Sequence, residues 1–260
     1  MVKTNSKPLL PTIRLFDLDI CACSFWEASQ KLLEIAEKRQ YRAHVVVTPN
    51  VDHIVRLESD ASFKTFYNQS DFIFADGMPV VWASKMTNTP LPERVTGADL
   101  FVSLTKAAVK QQLSVFLIGG MPGQEAQLTA DFRRVYPGLN ITILCPSMQF
   151  DPTGPEGMDA LARVNAMKAD IVFVCLGMPK QERWALTHRE QMSASVVLCV
   201  GAAMEFALGL KSRAPQWMQK AGLEWFWRLC SEPGRLWRRY ILQGKKFFPL
   251  CWREWKKQRG

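Results

Sequence analysis

Six short apolar runs recur along the first 200 residues: Ala43–Val47, Phe72–Ala75, Ser114–Ile118, Leu139–Leu144, Ile171–Leu176 and Val196–Val200. Each is rich in β-branched or aromatic residues, and most are closed by Gly, Pro, Asp or Asn. Continuous rather than alternating apolar character marks strands buried on both faces. Between them lie segments of helical period. In the first, Ala28, Leu32, Ile35 and Ala36 share one face, and Ser24 with Glu27 three residues later forms a capping box. Further helices are predicted over 60–69, from Met78-Pro79, and from Pro155 to about Ala169. Arg14–Ile20 alternates and reads as a first strand. The succession predicts an α/β fold: a Rossmann-like, largely parallel sheet covered by helices.

The pattern changes after residue 210. Residues 211–260 carry 13 Lys/Arg, 3 Asp/Glu and six of the nine Trp. Their net charge of +10, against +9 for the whole chain, leaves the first 210 residues nearly neutral. The division is therefore an α/β catalytic core over 1–210 and a basic, aromatic-rich helical appendage over 211–260. Pro233 breaks one predicted helix and starts another, on which Arg235, Arg238 and Arg239 share a face. Lys245–Lys257 mixes cations with Phe and Trp, which suits an anionic membrane surface better than nucleic acid. A helical cap on the core or a homo-oligomer interface stays open for the same segment. No run reaches the ~18–20 apolar residues of a spanning helix, and no N-terminal apolar run fits a signal peptide. The seven Cys, without a paired C-x-x-C, read as reduced thiols of a cytoplasmic protein.

Candidate chemistry collects at the strand ends, where open α/β sheets place their ligands. Asp76 ends the Phe72–Ala75 run. It reads either as a general base or as the N-cap of the helix opened by Met78-Pro79. Gly77 beside it lets another group approach closely. Thr48 and Asn50 follow the preceding strand with a hydroxyl and an amide suited to sugar or phosphate oxygens, or form a plain turn. Arg94 precedes a Gly-containing helix start and has the fork geometry for an anion. Gly119-Gly120 after a strand offers a weak phosphate-binding signal without a dinucleotide or P-loop fingerprint. Lys180-Gln181-Glu182 is a further polar cluster at a strand end. Asp17 and Asp19 have the spacing of a metal–diphosphate motif, but their alternation with apolar residues favours the polar face of a strand.

These segments together resemble the TagA/WecG/CpsF family of bacterial glycosyltransferases over about residues 13–246. The motifs that carry the resemblance are Thr48-Pro49-Asn50, Asp76-Gly77, Glu93–Asp99, Leu117–Gly120, Leu176–Glu182, Arg213–Trp217, Gly222–Leu229 and Glu232–Tyr240. The resemblance implies an inverting transfer from a UDP-sugar to a polyprenyl-diphosphate-linked sugar, at the cytoplasmic face of the membrane, in cell-surface polymer synthesis. It implies that Asp76 is the base, that Thr48 and Asn50 line the pocket, that Arg94 and Gln181 are site residues, and that Arg228, Arg235 and Arg238 serve the donor diphosphate. It implies neither a bound metal nor another cofactor. Gly201–Phe206 departs from the family's more Gly-rich run, so donor identity is not read from it.

The chemistry agrees with those residue types. A carboxylate can take the proton of the acceptor hydroxyl as the new C1–O bond forms. Arginine forks can hold the charge that develops on the departing diphosphate. Two rival readings are an NAD-dependent oxidoreductase using Gly119-Gly120, which lacks the fingerprint, and a non-catalytic lipid-binding or scaffold protein acting through the appendage.

Overall fold

A computed structural model describes residues 9–38, 42–211, 214–215, 217–218, 222–231 and 233–257; side chains at 225, 228, 231, 233 and 235–243 lie outside the described set. Six strands form one wholly parallel sheet: β3 (His44–Val47), β4 (Phe72–Ile73), β5 (Ser114–Ile118), β6 (Asn140–Leu144), β7 (Ile171–Val174) and β8 (Val196–Cys199). Their order is β4-β3-β8-β7-β5-β6, with Val197 opposite both Val45 and Val172. The predicted parallel α/β architecture is thus the observed one.

Successive residues of each strand point to opposite faces, so the sheet divides the core in two. Val45, Val47, Val172, Val174 and Val197 pack on one side with α2 (Val51–Ser59), α3 (Ala61–Tyr67), α4 (Met78–Ser84), α7 (Pro155–Met167) and α8 (Lys180–His188). Val46, Val115, Phe173 and Leu198 pack on the other with α1 (Phe25–Glu37), α5 (Gly97–Gln111), α6 (Glu125–Val135) and α9 (Ala203–Ala207). The capping box forms as read: Ser24 N donates to Glu27 Oε2 at 2.8 Å, and Glu27 N to Ser24 Oγ at 3.2 Å.

Two local readings are corrected. Arg14–Ile20 is not one strand but part of an antiparallel hairpin, β1 (Thr12–Leu15) and β2 (Leu18–Cys21), outside the main sheet. Phe16 and Asp17 turn the chain with φ of 54° and 58°, which lets the strands fold back on each other. Helix α2 fills the stretch after Asn50, so of the two readings of Thr48-Pro49-Asn50, ligand-facing polar groups or a plain turn, the plain turn is replaced by a helix start. Asn50 accepts from His53 N at 3.2 Å and so starts a helix rather than a loop.

The appendage contains α10 (Glu224–Ser231) and α11 (Pro233–Lys257). The far end of α11 is built into the core. Phe247 and Leu250 are buried, and the Phe247 ring lies 5.3 Å from that of Phe16. Burying two such side chains contributes about 1.5–3 kcal/mol each. An ion cluster closes the same contact. Lys257 and Lys64 sit 2.9 and 3.0 Å from Asp17, Lys64 is 2.9 Å from Glu58, and Arg253 also pairs with Glu58. Asp17 is therefore an anchor for the last helix, and Asp19 pairs with Arg14 at 2.9 Å.

The cluster carries a pH dependence. Lys257 holds Asp17 at about 2 against an ordinary 3.8, and Arg253 holds Glu58 at about 2 against 4.5. Both carboxyls are depressed, so their stabilisation is present above about 4.5 and is lost as pH falls towards about 2. Acidification from pH 7 towards pH 2 is expected to lower the protection of amides in 247–257, relative to their intrinsic exchange, ahead of the sheet strands. A double Asp17→Asn, Glu58→Gln variant should already show low protection there at pH 7, with little further loss on acidification. An unchanged acid response in that variant would show that other groups hold the helix.

Candidate active site

Neighbouring strands β3 and β8 send their following helices to opposite faces, α2 to one and α9 to the other. A parallel sheet opens a ligand crevice at such a switch point, outside the carboxyl ends of the strands. Thr48 follows β3 directly and is buried. The chain beyond β4 stays extended beside it. Phe74 N donates to Val47 O and Asp76 N to Pro49 O, both at 3.0 Å, which sets Asp76 beside the end of β3.

The third component is the N-terminus of α5. Val95 N donates to Ala75 O at 3.1 Å, and Gly97 N donates to Asp76 Oδ2 at 3.3 Å. A Cβ at Gly97 would lie 2.9 Å from Thr48 Oγ1 and 3.1 Å from Val200 Cγ1. Only glycine lets the helix start come so close to the ends of β3 and β8. Thr96 caps α5, accepting from Asp99 N at 3.1 Å. The positive end of the helix faces the Asp76 carboxylate, an arrangement that favours negative charge. The alternative in which Asp76 caps α4 is not what forms: the N-cap there is Gly77, at φ 131° and without a side-chain bond.

The other residues singled out in the sequence divide into those near the crevice and those serving its walls. Asn50 is half-buried, and its Oδ1 caps α2. Gln181 is 1% exposed. Its Oε1 accepts from Gly177 N at 3.2 Å and from Gly201 N at 3.0 Å, tying together the loops that follow β7 and β8. Its Nε2 donates to Glu182 Oε1 at 2.8 Å. Glu182 is fully buried, and burial pushes its carboxyl up to about 7, partly offset by the Gln181 bond. A Cβ at Gly119 would meet Cys175 Cβ at 2.7 Å, and one at Gly120 would meet Leu128 Cδ1 at 2.7 Å. Here the missing side chains admit close packing, and α6 begins only at Glu125.

Arg94 lies on the same side as Asp76. Its Nη1 is 2.6 Å from Glu224 Oε2, with side chains 14% and 13% exposed, and its Nη2 is 3.9 Å from Asp99 Oδ2. Glu224 is the first residue of α10, so the pair ties the start of that helix to the segment leading into α5. The backbone of Arg228 belongs to α10 and those of Arg235 and Arg238 to α11, while their side chains fall outside the described set. Among the described residues, no group of three or more His, Cys, Asp or Glu is arranged to hold a metal ion.

Gly97 and Glu224 were not given a role by the sequence, and Glu182 was singled out only as part of the Lys180-Gln181-Glu182 cluster. Gly97 and Glu182 are adjacent to or within recognisable strand-end clusters. The pairing of Glu224 with Arg94 spans 130 positions and leaves no local signal.

Comparison with known proteins identifies the family. The chain is 32% identical over 195 residues to the N-acetylglucosaminyldiphosphoundecaprenol N-acetyl-β-D-mannosaminyltransferase of Staphylococcus aureus (strain MRSA252), covering 74% of each protein. Residues 13–260 match the sequence model of the Glycosyl transferase WecG/TagA/CpsF family. A match over nearly the whole chain, through the sheet, the crevice and the appendage, makes this protein a member of the WecG/TagA/CpsF family of glycosyltransferases.

Proposed function

We propose that the protein transfers an N-acetylhexosamine or related hexose from a UDP-sugar to a polyprenyl-diphosphate-linked sugar. The observation that carries this reading is the convergence of Asp76, Thr48 and the α5 N-terminus on one residue, Gly97, at the switch point of the sheet. Family membership supports the reaction class, and the staphylococcal relative's name supports a lipid-linked acceptor.

In the proposed step, the Asp76 carboxylate takes the proton of the acceptor hydroxyl as that oxygen attacks C1 of the donor sugar. The bond from C1 to the β-phosphate oxygen breaks, and UDP leaves with the electron pair. A single displacement of this kind inverts the anomeric centre. Thr48 and Asn50 border the sugar, with Gly77 leaving room beside the base. Arg228, Arg235 and Arg238 stabilise the departing diphosphate. Gln181 supports the site through the Gly177 and Gly201 amides, and Gly119-Gly120 through close packing of the floor.

The lipid-linked acceptor calls for a membrane surface. On α11, Phe248 and Trp252 are 77% and 59% exposed, one turn apart and opposite the buried Phe247 and Leu250. Lys256 Nζ lies 3.7 Å from the centre of the Trp252 ring, and Lys245 and Lys246 are exposed. An aromatic pair flanked by cations suits the headgroup region of an anionic leaflet. No described helix is long and apolar enough to cross a membrane. The proposed location is peripheral, on the inner face of the cell membrane.

UDP release measured across a panel of UDP-sugars, with and without a polyprenyl-diphosphate-linked sugar, tests the reaction. Acceptor-dependent release with one donor is expected, and no release with any donor in the presence of lipid would count against it. Asp76→Asn should remain folded and lose roughly 10²–10⁴-fold in kcat; a folded variant turning over at the wild-type rate would remove Asp76 as the base. Changing Phe248 and Trp252 together to Ser should weaken binding to anionic vesicles by about tenfold or more. Turnover on a short soluble acceptor should be little altered. Equal vesicle binding by the double variant would place the membrane contact elsewhere.

A further inference from the structure

The start of α10 meets the body of the protein through a few specific contacts. Gly222, at φ 73°, rests on α4: a Cβ added there would lie 2.6 Å from Trp82 Cζ2 and 2.9 Å from Met78 Cβ. Leu223 N donates to Met218 O at 2.8 Å, which fixes the chain as it enters α10. Two residues after Gly222, Glu224 reaches Arg94 at 2.6 Å. Both partners are mostly buried, so solvent screens the pair less than an exposed one, and removing one partner leaves the other charge poorly solvated. Arg94 in turn stands in the segment Glu93–Asp99 that forms the start of α5 and delivers Gly97 N to Asp76. The base and the first turn of the appendage are thus joined through one short stretch of chain.

Helical period extends the link. Glu224 and Arg228 are four residues apart on α10, on one helix face and about one turn from each other. Whatever fixes the rotation of α10 at Glu224 also sets the azimuth of residue 228.

We propose that Glu224 is a positioning residue for the transfer: paired with Arg94, it fixes the register of α10 so that Arg228 is presented to the diphosphate of the donor. This rests on the leaving-group role proposed for Arg228. It gives Arg94 a different task from direct ligand contact, that of a pin between the α5 N-terminus and the appendage.

The test is a double-variant cycle on the full chain. Its readout is UDP release from UDP-N-acetylmannosamine, with a short polyprenyl-diphosphate-linked N-acetylglucosamine as acceptor. Glu224→Gln should stay folded with a lowered melting temperature, because Arg94 loses its countercharge, and lower kcat about tenfold or more, with a smaller change in donor KM. Arg228→Ala should lower kcat by itself. The double variant should be no slower than Arg228→Ala alone, because Glu224 acts through residue 228. Glu224→Asp, which keeps the charge, should recover part of the rate, and it takes the place of Glu224→Gln in the cycle if that variant does not fold. Multiplicative losses in the double variant would overturn the proposal, as would wild-type kcat in a folded Glu224→Gln. If Arg228→Ala alone turns over normally, the leaving-group role fails and the proposal with it. Asp76→Asn would still report independently on the transferase reading.

Discussion

A single backbone amide sets the geometry of the crevice. The first N–H groups of a helix have no partner within it, and Gly97 N at the start of α5 finds one in the Asp76 carboxylate. The same residue packs closely against Thr48 and Val200, so α5 meets the ends of β3 and β8 at the point where it bonds Asp76. A partly buried carboxylate must be hydrogen-bonded to be tolerated, and here the donor is also the close-packing point. Local helix chemistry and sheet topology therefore meet in one contact.

Around that contact the molecule separates shaping from reacting. The two-sided sheet supplies a rigid floor whose strands are buried on both faces. Gln181 sits beneath the floor and spends its carboxamide on two backbone amides and on Glu182. A fully buried carboxyl is a poor surface ligand, and its raised pKa reflects absence of water rather than a reacting partner. The polar residues at the strand ends are thus of two kinds. Asp76 bonds the first amide of α5 at the proposed site, whereas Gln181 and Glu182 bond to loop amides and to each other.

The parts legible in the sequence are those with local physical signatures. Strand runs such as Val45–Val47 and Ile171–Val174 are apolar throughout because both faces are covered, and the Ser24/Glu27 box needs only a three-residue spacing. The hairpin at Phe16-Asp17 was missed because tight hairpin turns are usually announced by Asn-Gly or Asp-Gly, and here two ordinary residues adopt positive φ. Helix α2 was missed because Asn50 serves turns and N-caps equally well, and only the following His53 amide decides between them. Asp76, Thr48 and Arg94 stood out as polar residues at strand ends and a helix start, and the resemblance gave them roles. It did not disclose that Arg94 is engaged by Glu224, since an ion pair across 130 positions has no pattern along the chain.

Helix α11 is held at its far end, where Phe247, Leu250, Arg253 and Lys257 meet the hairpin and α2. Arg235 and Arg238 lie two to three turns upstream on the same rod. Their angular phase is therefore inherited from the anchor. Each residue inserted or deleted between 239 and 246 would turn them by about 100° and shift them by about 1.5 Å. A change of seven residues would nearly restore the phase while moving them by about two turns. With the diphosphate role proposed for Arg235 and Arg238, the length of this rod matters like the tooth count of a gear, since changing its number of residues re-aims both positions at once.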